Sequence, residues 1–183
     1  MAGSADIAVY YCPVSAGASH QLLYQAAAAY LGKDISHIQL AREPGGKPYF
    51  PGSSLHFSIS HSGKWWLCAF ARERLGLDIQ QHQPCNKEQL SSRFFHPLED
   101  AFLRHNAYEE FYRLWAAKES WLKYTGQGIT GGMDNFSVVD CQGNFPVISG
   151  QDARLQPVEW PEDDYSVCLC ARRIDNIILR QFI

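Results

Sequence analysis

Three charged side chains, placed in two separate stretches of the sequence, have the chemistry needed to hold a divalent cation beside a phosphate group. Asp78 interrupts the apolar run LGLDIQ, where a carboxylate costs free energy unless it finds a cation, a donor or water. Glu119 and Lys123 lie four residues apart in the stretch FYRLWAAKESWLKYTGQGI. Alone, such a pair contributes about 0.2–0.5 kcal/mol and is most often a solvated surface pair. Together with Asp78, it can hold Mg²⁺ and a polyphosphate.

The stretch from Phe111 to Ile129 is predicted to form the helix that positions two of these groups. Its apolar side chains recur at i, i+3 and i+4, and no Gly or Pro occurs before Gly126. Gly126 is the expected end of the helix, because glycine readily adopts the left-handed conformation after a last helical turn. Glu119 and Lys123 then lie at the border of the buried face.

Four short blocks of the sequence resemble, in order and spacing, the motifs of one enzyme family. The blocks are GKPY at 46–49, FSISHSGKW at 57–65, GLDIQ at 76–80 and LWAAKESWLKYTGQGI at 114–129. They are similar to the GKP, (F/L)-N-(I/V)-S-H-S-G, G-(I/V)-D-(I/V)-E and W-x-x-K-E-(S/A)-x-x-K elements of the 4′-phosphopantetheinyl transferases, in their surfactin-type (Sfp-type) branch. Any one block would be a weak signal, whereas four in order are a strong one.

The resemblance implies an α+β fold made of two pseudo-symmetric α/β halves, each an antiparallel sheet with packed helices. Residues 1–73 are then the N-terminal half on the coenzyme A nucleotide side, and residues 74–183 are the C-terminal half with the magnesium and the catalytic groups. The coenzyme is expected in the cleft between the halves. Two halves in one chain predict a monomer.

The reaction implied by the resemblance moves the 4′-phosphopantetheine arm of coenzyme A to a serine of an apo acyl or peptidyl carrier protein. It depends on Mg²⁺ and releases adenosine 3′,5′-bisphosphate. The residues implied by the motif matches are Glu119 and Lys123 for catalysis, Asp78, Glu119 and Gln80 for the metal, and Lys47, Ser60, His61 and Lys123 for coenzyme A. For Lys118, structural pairing and phosphate contact are equally consistent with the sequence.

Two departures from the family pattern keep other hypotheses open. Gln80 stands where the family usually has a second acidic residue, which weakens the negative field on a metal. The segment from Met1 to His20 has no Lys or Arg, whereas larger family members carry a basic segment ahead of the first helix. A second hypothesis is therefore a catalytically weakened module that binds coenzyme A or a carrier protein. A third is an unrelated α/β protein in which Glu119 and Lys123 form only a surface pair.

The bulk composition excludes several other classes of protein. The chain has 183 residues and 46% hydrophobic residues, enough for a substantial core, and its net charge of −3 gives no basic footprint for general nucleic-acid binding. No apolar run approaches the roughly 18 residues that a membrane span needs. The six cysteines contain no CxxC pair, which favours free thiols in a reducing compartment. We therefore predict a cytoplasmic protein without membrane or nucleic-acid partners.

The remaining elements follow from periodicity and turn residues. The predicted helices are 20–31 after a Ser19 cap, 90–95 and 98–103, and the predicted strands or hairpins are 7–11, 35–40, 55–70, 75–80, 136–148 and 155–171.

Overall fold

The computed structural model describes residues 5–13, 19–128 and 132–182. Within these ranges the helices are α1 (Ser19–Leu31), α2 (Lys87–Phe94), α3 (Pro97–His105) and α4 (Phe111–Thr125). The strands are β1 (Asp6–Pro13), β2 (Ala41–Arg42), β3 (Pro48–Tyr49), β4 (His56–Ser62), β5 (Trp65–Ala71), β6 (Leu75–Gln81), β7 (Arg154–Val158), β8 (Tyr165–Ala171) and β9 (Asn176–Gln181). The predicted α+β class is confirmed.

Helix ends follow the sequence signals. Helix α4 ends at Thr125, and Gly126 takes the left-handed conformation with φ 77° while its N–H caps the carbonyl of Leu122. The predicted end of α4 at Gly126 is confirmed, and Ile129 lies outside the described residues. Helix α3 begins with Pro97 at a first-turn position, where its missing N–H costs nothing.

The first of the two larger sheets has four strands in the order β4-β5-β1-β9. Its pairs are antiparallel except β1 and β9, which run parallel. The sequence prediction missed β9, whose side chains are mostly exposed and lack a clear alternation. Because β9 joins the sheet built from the first 71 residues, the last strand of the chain does not follow the proposed division between residues 73 and 74.

The second of these sheets has three antiparallel strands in the order β6-β8-β7 and carries Asp78 opposite Cys168. Helix α4 lies directly against β6. A Cβ atom at Gly76 would lie 1.9 Å from the carbonyl oxygen of Ser120 and 2.5 Å from the nitrogen of Tyr124, so only glycine permits this approach. The glycine of the GLDIQ block therefore fixes the distance between Asp78 and the helix that carries Glu119.

The edge strands β4 and β6 of the two sheets meet, and side-chain hydroxyls join them. Serines at alternate positions of β4 accept hydrogen bonds from backbone N–H groups at alternate positions of β6: Ser58 from Leu77 (3.0 Å), Ser60 from Ile79 (3.3 Å) and Ser62 from Gln81 (2.9 Å). An edge strand leaves such N–H groups unpaired, and the hydroxyls satisfy them without merging the two sheets. Beside this seam, apolar residues of both sheets form one shared core.

Two predicted strand regions differ from the structure. Residues 136–148, all within the described ranges, form an irregular loop whose hairpin-like bonds join Val147 N to Val138 O and Asp140 N to Asn144 O. Pro146 lacks a backbone N–H and cannot donate to a strand ladder at its position. Residues 35–40 contain a turn closed by Ile38 N and Ile35 O instead of a strand.

The four helices of the described ranges are too short or too polar to cross a lipid bilayer.

Candidate active site

The carboxylate of Asp78 is the centre of a polar cluster at the seam between the two sheets. It is 2% exposed, and its Oδ1 accepts hydrogen bonds from Ser60 Oγ and Lys123 Nζ, both at 2.7 Å. Its Oδ2 accepts a bond from Gln80 Nε2 at 2.8 Å. Strands β4 and β6 and helix α4 thus bring together four of the residues that the motifs indicated.

Lys123 pairs across the seam and not along its own helix. Its ammonium group contacts Asp78 and also donates to Ser60 Oγ at 2.8 Å. Among the described residues, no ion pair joins Lys123 to Glu119, the partner expected for a surface i,i+4 pair. The surface-pair hypothesis is therefore wrong, and Lys123 supplies the positive charge at the buried carboxylate.

Glu119 lies beside this cluster, and its carboxylate has no hydrogen-bond or ion-pair partner among the described residues. Burial is the main reason why the pKa of Glu119 is raised, the negative charge of Asp78 raises it further, and Lys123 opposes the shift. The carboxylates of Asp78 and Glu119 repel each other, and a cation bound between them would reduce this repulsion. The unpaired carboxylate is thus available to a ligand.

The oxygen donors of this cluster suit Mg²⁺ better than a soft transition metal. The described ranges contain no group of three or more His, Cys, Asp or Glu side chains able to hold a metal ion. Mg²⁺ is commonly bound by one or two carboxylates and completes its shell with water and phosphate oxygens. Asp78 and Glu119, with one carboxylate lacking a protein partner, fit that smaller donor set.

Gln80 contributes its amide nitrogen to the cluster in this structure. Its Nε2 donates to Asp78 Oδ2, so the amide oxygen does not face that carboxylate. The predicted metal contact of Gln80 requires the amide to turn and to give up this hydrogen bond. That contact stays a prediction.

Lys47 joins the loop of the GKP block to both β6 and α4. Its Nζ donates to the carbonyl oxygens of Leu75 and Lys123, each at 2.5 Å. Burial, with a smaller contribution from the nearby charge of Arg74, lowers the pKa of Lys47 to about 7. Two of the three ammonium hydrogens of Lys47 are therefore bonded within the protein. Only the third is available for the predicted contact with coenzyme A.

Arg74 also holds the loop of the GKP block, which we call the clamped loop, against the end of α4. The sequence analysis missed this role. Its guanidinium binds both oxygens of Glu43, at 2.7 and 2.6 Å, and donates to the carbonyl oxygen of Thr125 at 3.0 Å. The loop lies so close to the end of α4 that a Cβ atom at Gly45 would lie 1.7 Å from the oxygen of Gly126. The sequence signal was an arginine directly before the GLDIQ strand.

A cleft of about 210 Å³ opens between this clamped loop, strand β4 and the end of α4. Apolar side chains and two lysines lie along it: Lys47, Pro48, Phe57, Ile59, Leu122 and Lys123. A flat apolar group with an attached phosphate would find complementary surfaces there.

His61 lies apart from the cluster. It follows Ser60 in β4 and is exposed, and successive side chains of a strand point to opposite faces. In the hairpin register it lies opposite Trp66, and no hydrogen bond to its ring occurs within the described residues. Its predicted contact with coenzyme A stays a prediction.

The structure resolves the two interpretations of Lys118. Its side chain is fully buried, and Nζ contacts Glu99 at 2.7 Å and the carbonyl oxygen of Phe136 at 2.8 Å. Glu99 also accepts from the backbone N–H groups of Val138 and His96. Lys118 therefore has a structural role next to Glu119, and no sequence pattern indicated its partner Glu99.

Comparisons with known proteins agree with the motifs. A model of the 4′-phosphopantetheinyl transferase superfamily matches residues 74–170. A 4′-phosphopantetheinyl transferase of Bacillus subtilis is 32% identical over 162 residues, which cover 84% of this chain and 72% of that protein. The transferase Sfp of Bacillus subtilis strain 168 is 39% identical over 110 residues, covering 57% of this chain and 49% of the relative. The transferase HetI of Nostoc sp. strain PCC 7120 is 38% identical over 110 residues, covering 55% and 46%.

Proposed function

Because the chain belongs to the 4′-phosphopantetheinyl transferase superfamily, we propose that it transfers the phosphopantetheine arm of coenzyme A to a serine of an apo acyl or peptidyl carrier protein. Adenosine 3′,5′-bisphosphate is the second product, and the reaction depends on Mg²⁺. The single observation that supports this most is the cluster of Asp78, Lys123 and Ser60 with the unpaired carboxylate of Glu119 beside it.

The chemistry asks mainly for charge neutralisation and alignment, because the serine attacks the β-phosphate in line with the leaving group. Asp78 and Glu119 would hold Mg²⁺, with Gln80 as a third oxygen donor, and the ion would neutralise the pyrophosphate. Lys123 stabilises the negative charge that develops on the leaving bisphosphate. Glu119, directly or through a water molecule, accepts the proton of the attacking serine.

The coenzyme lies in the cleft between the clamped loop and α4. Its apolar floor binds the base, and the ammonium groups of Lys47 and Lys123 bind phosphate groups. Lys47, Ser60, His61 and Lys123 are the residues that the motifs suggest for this contact. A monomer of two pseudo-symmetric halves, working in the cytoplasm, completes the proposal.

The test is intact-protein mass spectrometry of several apo acyl and peptidyl carrier proteins, each incubated with this protein, coenzyme A and Mg²⁺. We expect the mass of one phosphopantetheine arm to be added to at least one carrier. Glu119→Gln removes the free carboxylate and should abolish the gain, whereas Glu159→Gln changes an exposed glutamate and should preserve it.

Two other results would contradict the proposal. If no carrier gains mass although the protein binds coenzyme A, it is a binding module, the second hypothesis raised by Gln80. If Glu119→Gln transfers the arm as fast as the unchanged protein, the catalytic centre lies elsewhere.

A further inference from the structure

Ser58, Ser60 and Ser62 of β4, which we call the serine ladder, differ in their contacts. The hydroxyl of Ser60 has contacts that the other two lack. Ser58, Ser60 and Ser62 all accept a backbone N–H of β6. Within the described residues, the hydroxyl of Ser60 alone among the three also contacts charged side chains, those of Asp78 and Lys123. The ladder contact joins the two sheets, and the additional contacts connect Ser60 to the candidate active site.

The hydrogen-bonding capacity of Ser60 is fully used by the protein. A serine hydroxyl offers one donor and two acceptor positions. The donor goes to Asp78 Oδ1 at 2.7 Å, and the acceptor positions receive Lys123 Nζ at 2.8 Å and Ile79 N at 3.3 Å. The residue is also only 5% exposed. A coenzyme phosphate could bind this hydroxyl only by breaking one of the three bonds.

We propose that Ser60 is a positioning residue, whose hydroxyl fixes the Asp78 carboxylate and the Lys123 ammonium group in the arrangement that phosphoryl transfer requires. This inference rests on the proposed transferase function. It differs from the direct coenzyme contact that the motif resemblance implies for the Ser60 side chain, because the hydroxyl acts through Asp78 and Lys123.

The geometry explains why such a residue is needed. Asp78 Oδ1 receives two donors from outside its own strand, and Ser60 is the neutral one, so it holds the carboxylate whether or not Lys123 turns towards a phosphate. Partners behind a metal-binding side chain orient it, and their loss commonly lowers metal affinity or activity about 10- to 100-fold. Without the hydroxyl, Asp78 can rotate and Lys123 loses its second side-chain acceptor.

The experiment compares Ser60→Ala with Ser62→Ala, since both remove a ladder hydroxyl and only the first touches the charged cluster. Thermal unfolding of each variant measures the shared structural contribution. Steady-state kinetics on an apo carrier gives kcat, the KM for coenzyme A and the Mg²⁺ concentration for half-maximal rate. Calorimetric titration with coenzyme A, with and without Mg²⁺, provides a readout that needs no turnover.

We expect Ser60→Ala to lower kcat about 10- to 100-fold and to raise the Mg²⁺ requirement, while the KM for coenzyme A at saturating Mg²⁺ changes less than about twofold. Ser62→Ala should lower the unfolding midpoint similarly and keep kcat. Ser60→Thr, which restores a hydroxyl, should recover most of the rate. A rise in the KM for coenzyme A with unchanged kcat would overturn the inference, as would equal losses of kcat in Ser60→Ala and Ser62→Ala.

Calorimetry separates this inference from the proposed function. If the unchanged protein modifies no carrier, the proposed function fails, and the inference then depends on coenzyme binding alone. Mg²⁺ must increase coenzyme A affinity in the unchanged protein and in Ser62→Ala, and Ser60→Ala must need about 10- to 100-fold more Mg²⁺ for the same increase. The absence of a Mg²⁺ effect from the unchanged protein, or an unshifted Mg²⁺ dependence in Ser60→Ala, overturns the inference.

Discussion

Helix α4 provides the lysines of two lysine–carboxylate pairs whose surroundings differ. Lys118 and Glu99 are both 0% exposed, and further bonds to the backbone occupy their remaining groups. We call this the closed pair. In the open pair, the Lys123 side chain is 29% exposed over the 3% exposed Asp78, and the partnerless carboxylate of Glu119 lies alongside.

The comparison indicates that an ion pair can act as a ligand-binding site only when one of its members can leave its protein partner for a ligand. Removing either member of the closed pair leaves an uncompensated charge in the core, so that pair can only hold the structure. The open pair borders the cleft, and Lys123 can turn towards a phosphate while Ser60 still holds Asp78. Neighbouring residues of one helix thus combine a fixed support with an adaptable site.

The largest effect is expected when the closed pair is broken. Glu99→Ala should lower the free energy of unfolding by about 3–5 kcal/mol, because Lys118 would stay buried without its counter-charge. Urea denaturation measures the loss. Glu88→Ala, at an exposed position of α2, is the control and should change stability by less than about 0.5 kcal/mol. A loss below about 1 kcal/mol in Glu99→Ala would remove the basis for calling the pair structural.

Breaking the open pair should reduce the rate of transfer strongly and the free energy of unfolding only slightly. Lys123→Met is expected to reduce kcat by about 10²–10³-fold, since the leaving bisphosphate loses its positive neighbour. The cost in stability should be about 1–2 kcal/mol, because Asp78 keeps two neutral donors. Steady-state kinetics and urea denaturation on the same sample give both numbers. Unchanged kcat with a large loss of stability would make the two pairs equivalent.

A substitution at Gln80 tests whether the open pair is part of a Mg²⁺ site. Gln80→Glu removes the amide donor of Asp78 and adds a third carboxylate, so the protein without metal should be less stable. With Mg²⁺ the extra charge becomes favourable, and the Mg²⁺-induced rise in melting temperature should exceed that of the unchanged protein. Gln89→Glu, on the exposed surface of α2, should leave the Mg²⁺ effect unaltered. An equal Mg²⁺ shift in all three proteins would exclude residue 80 from the metal site.

Lys47 lies between the two cases, because it is buried against carbonyl groups without a carboxylate contact. Its pKa is lowered to about 7, mainly by burial, below the ordinary lysine value of about 10.4. Between these values the unfolded chain binds more protons than the native protein, so Lys47 makes the free energy of unfolding rise with pH. Lys47→Met should remove this slope, as urea denaturation from pH 7 to 10 would show. If the free energy of unfolding changes with pH in the same way in Lys47→Met and in the unchanged protein, the lowered pKa of Lys47 is contradicted.

Local sequence signals were enough for the elements that carry the site. The 3.6-residue periodicity and Gly126 predicted α4, and the apolar run around Asp78 predicted β6. The four motif blocks indicated Asp78, Glu119 and Lys123, which the fold brings to one seam.

Partner choice was not predictable, because it depends on contacts between distant segments. Lys123 had a local candidate in Glu119, yet the approach of β6 to α4 at Gly76 gives it Asp78 instead. Glu99 lies in a different helix from Lys118, and no spacing rule connects them. The alternating serines of β4 were visible in the sequence, but their role depends on which edge strand they meet.

The most direct test neutralises each pair separately and follows transfer by intact mass spectrometry of an apo carrier protein. Glu99→Gln with Lys118→Met removes the charges of the closed pair, and Asp78→Asn with Lys123→Met removes those of the open pair. We predict that the first double variant, once shown to be folded, still adds the phosphopantetheine arm, whereas the second is folded and adds none. Transfer by the open-pair variant, or its loss in a folded closed-pair variant, would contradict the assignment of the active site to the open pair.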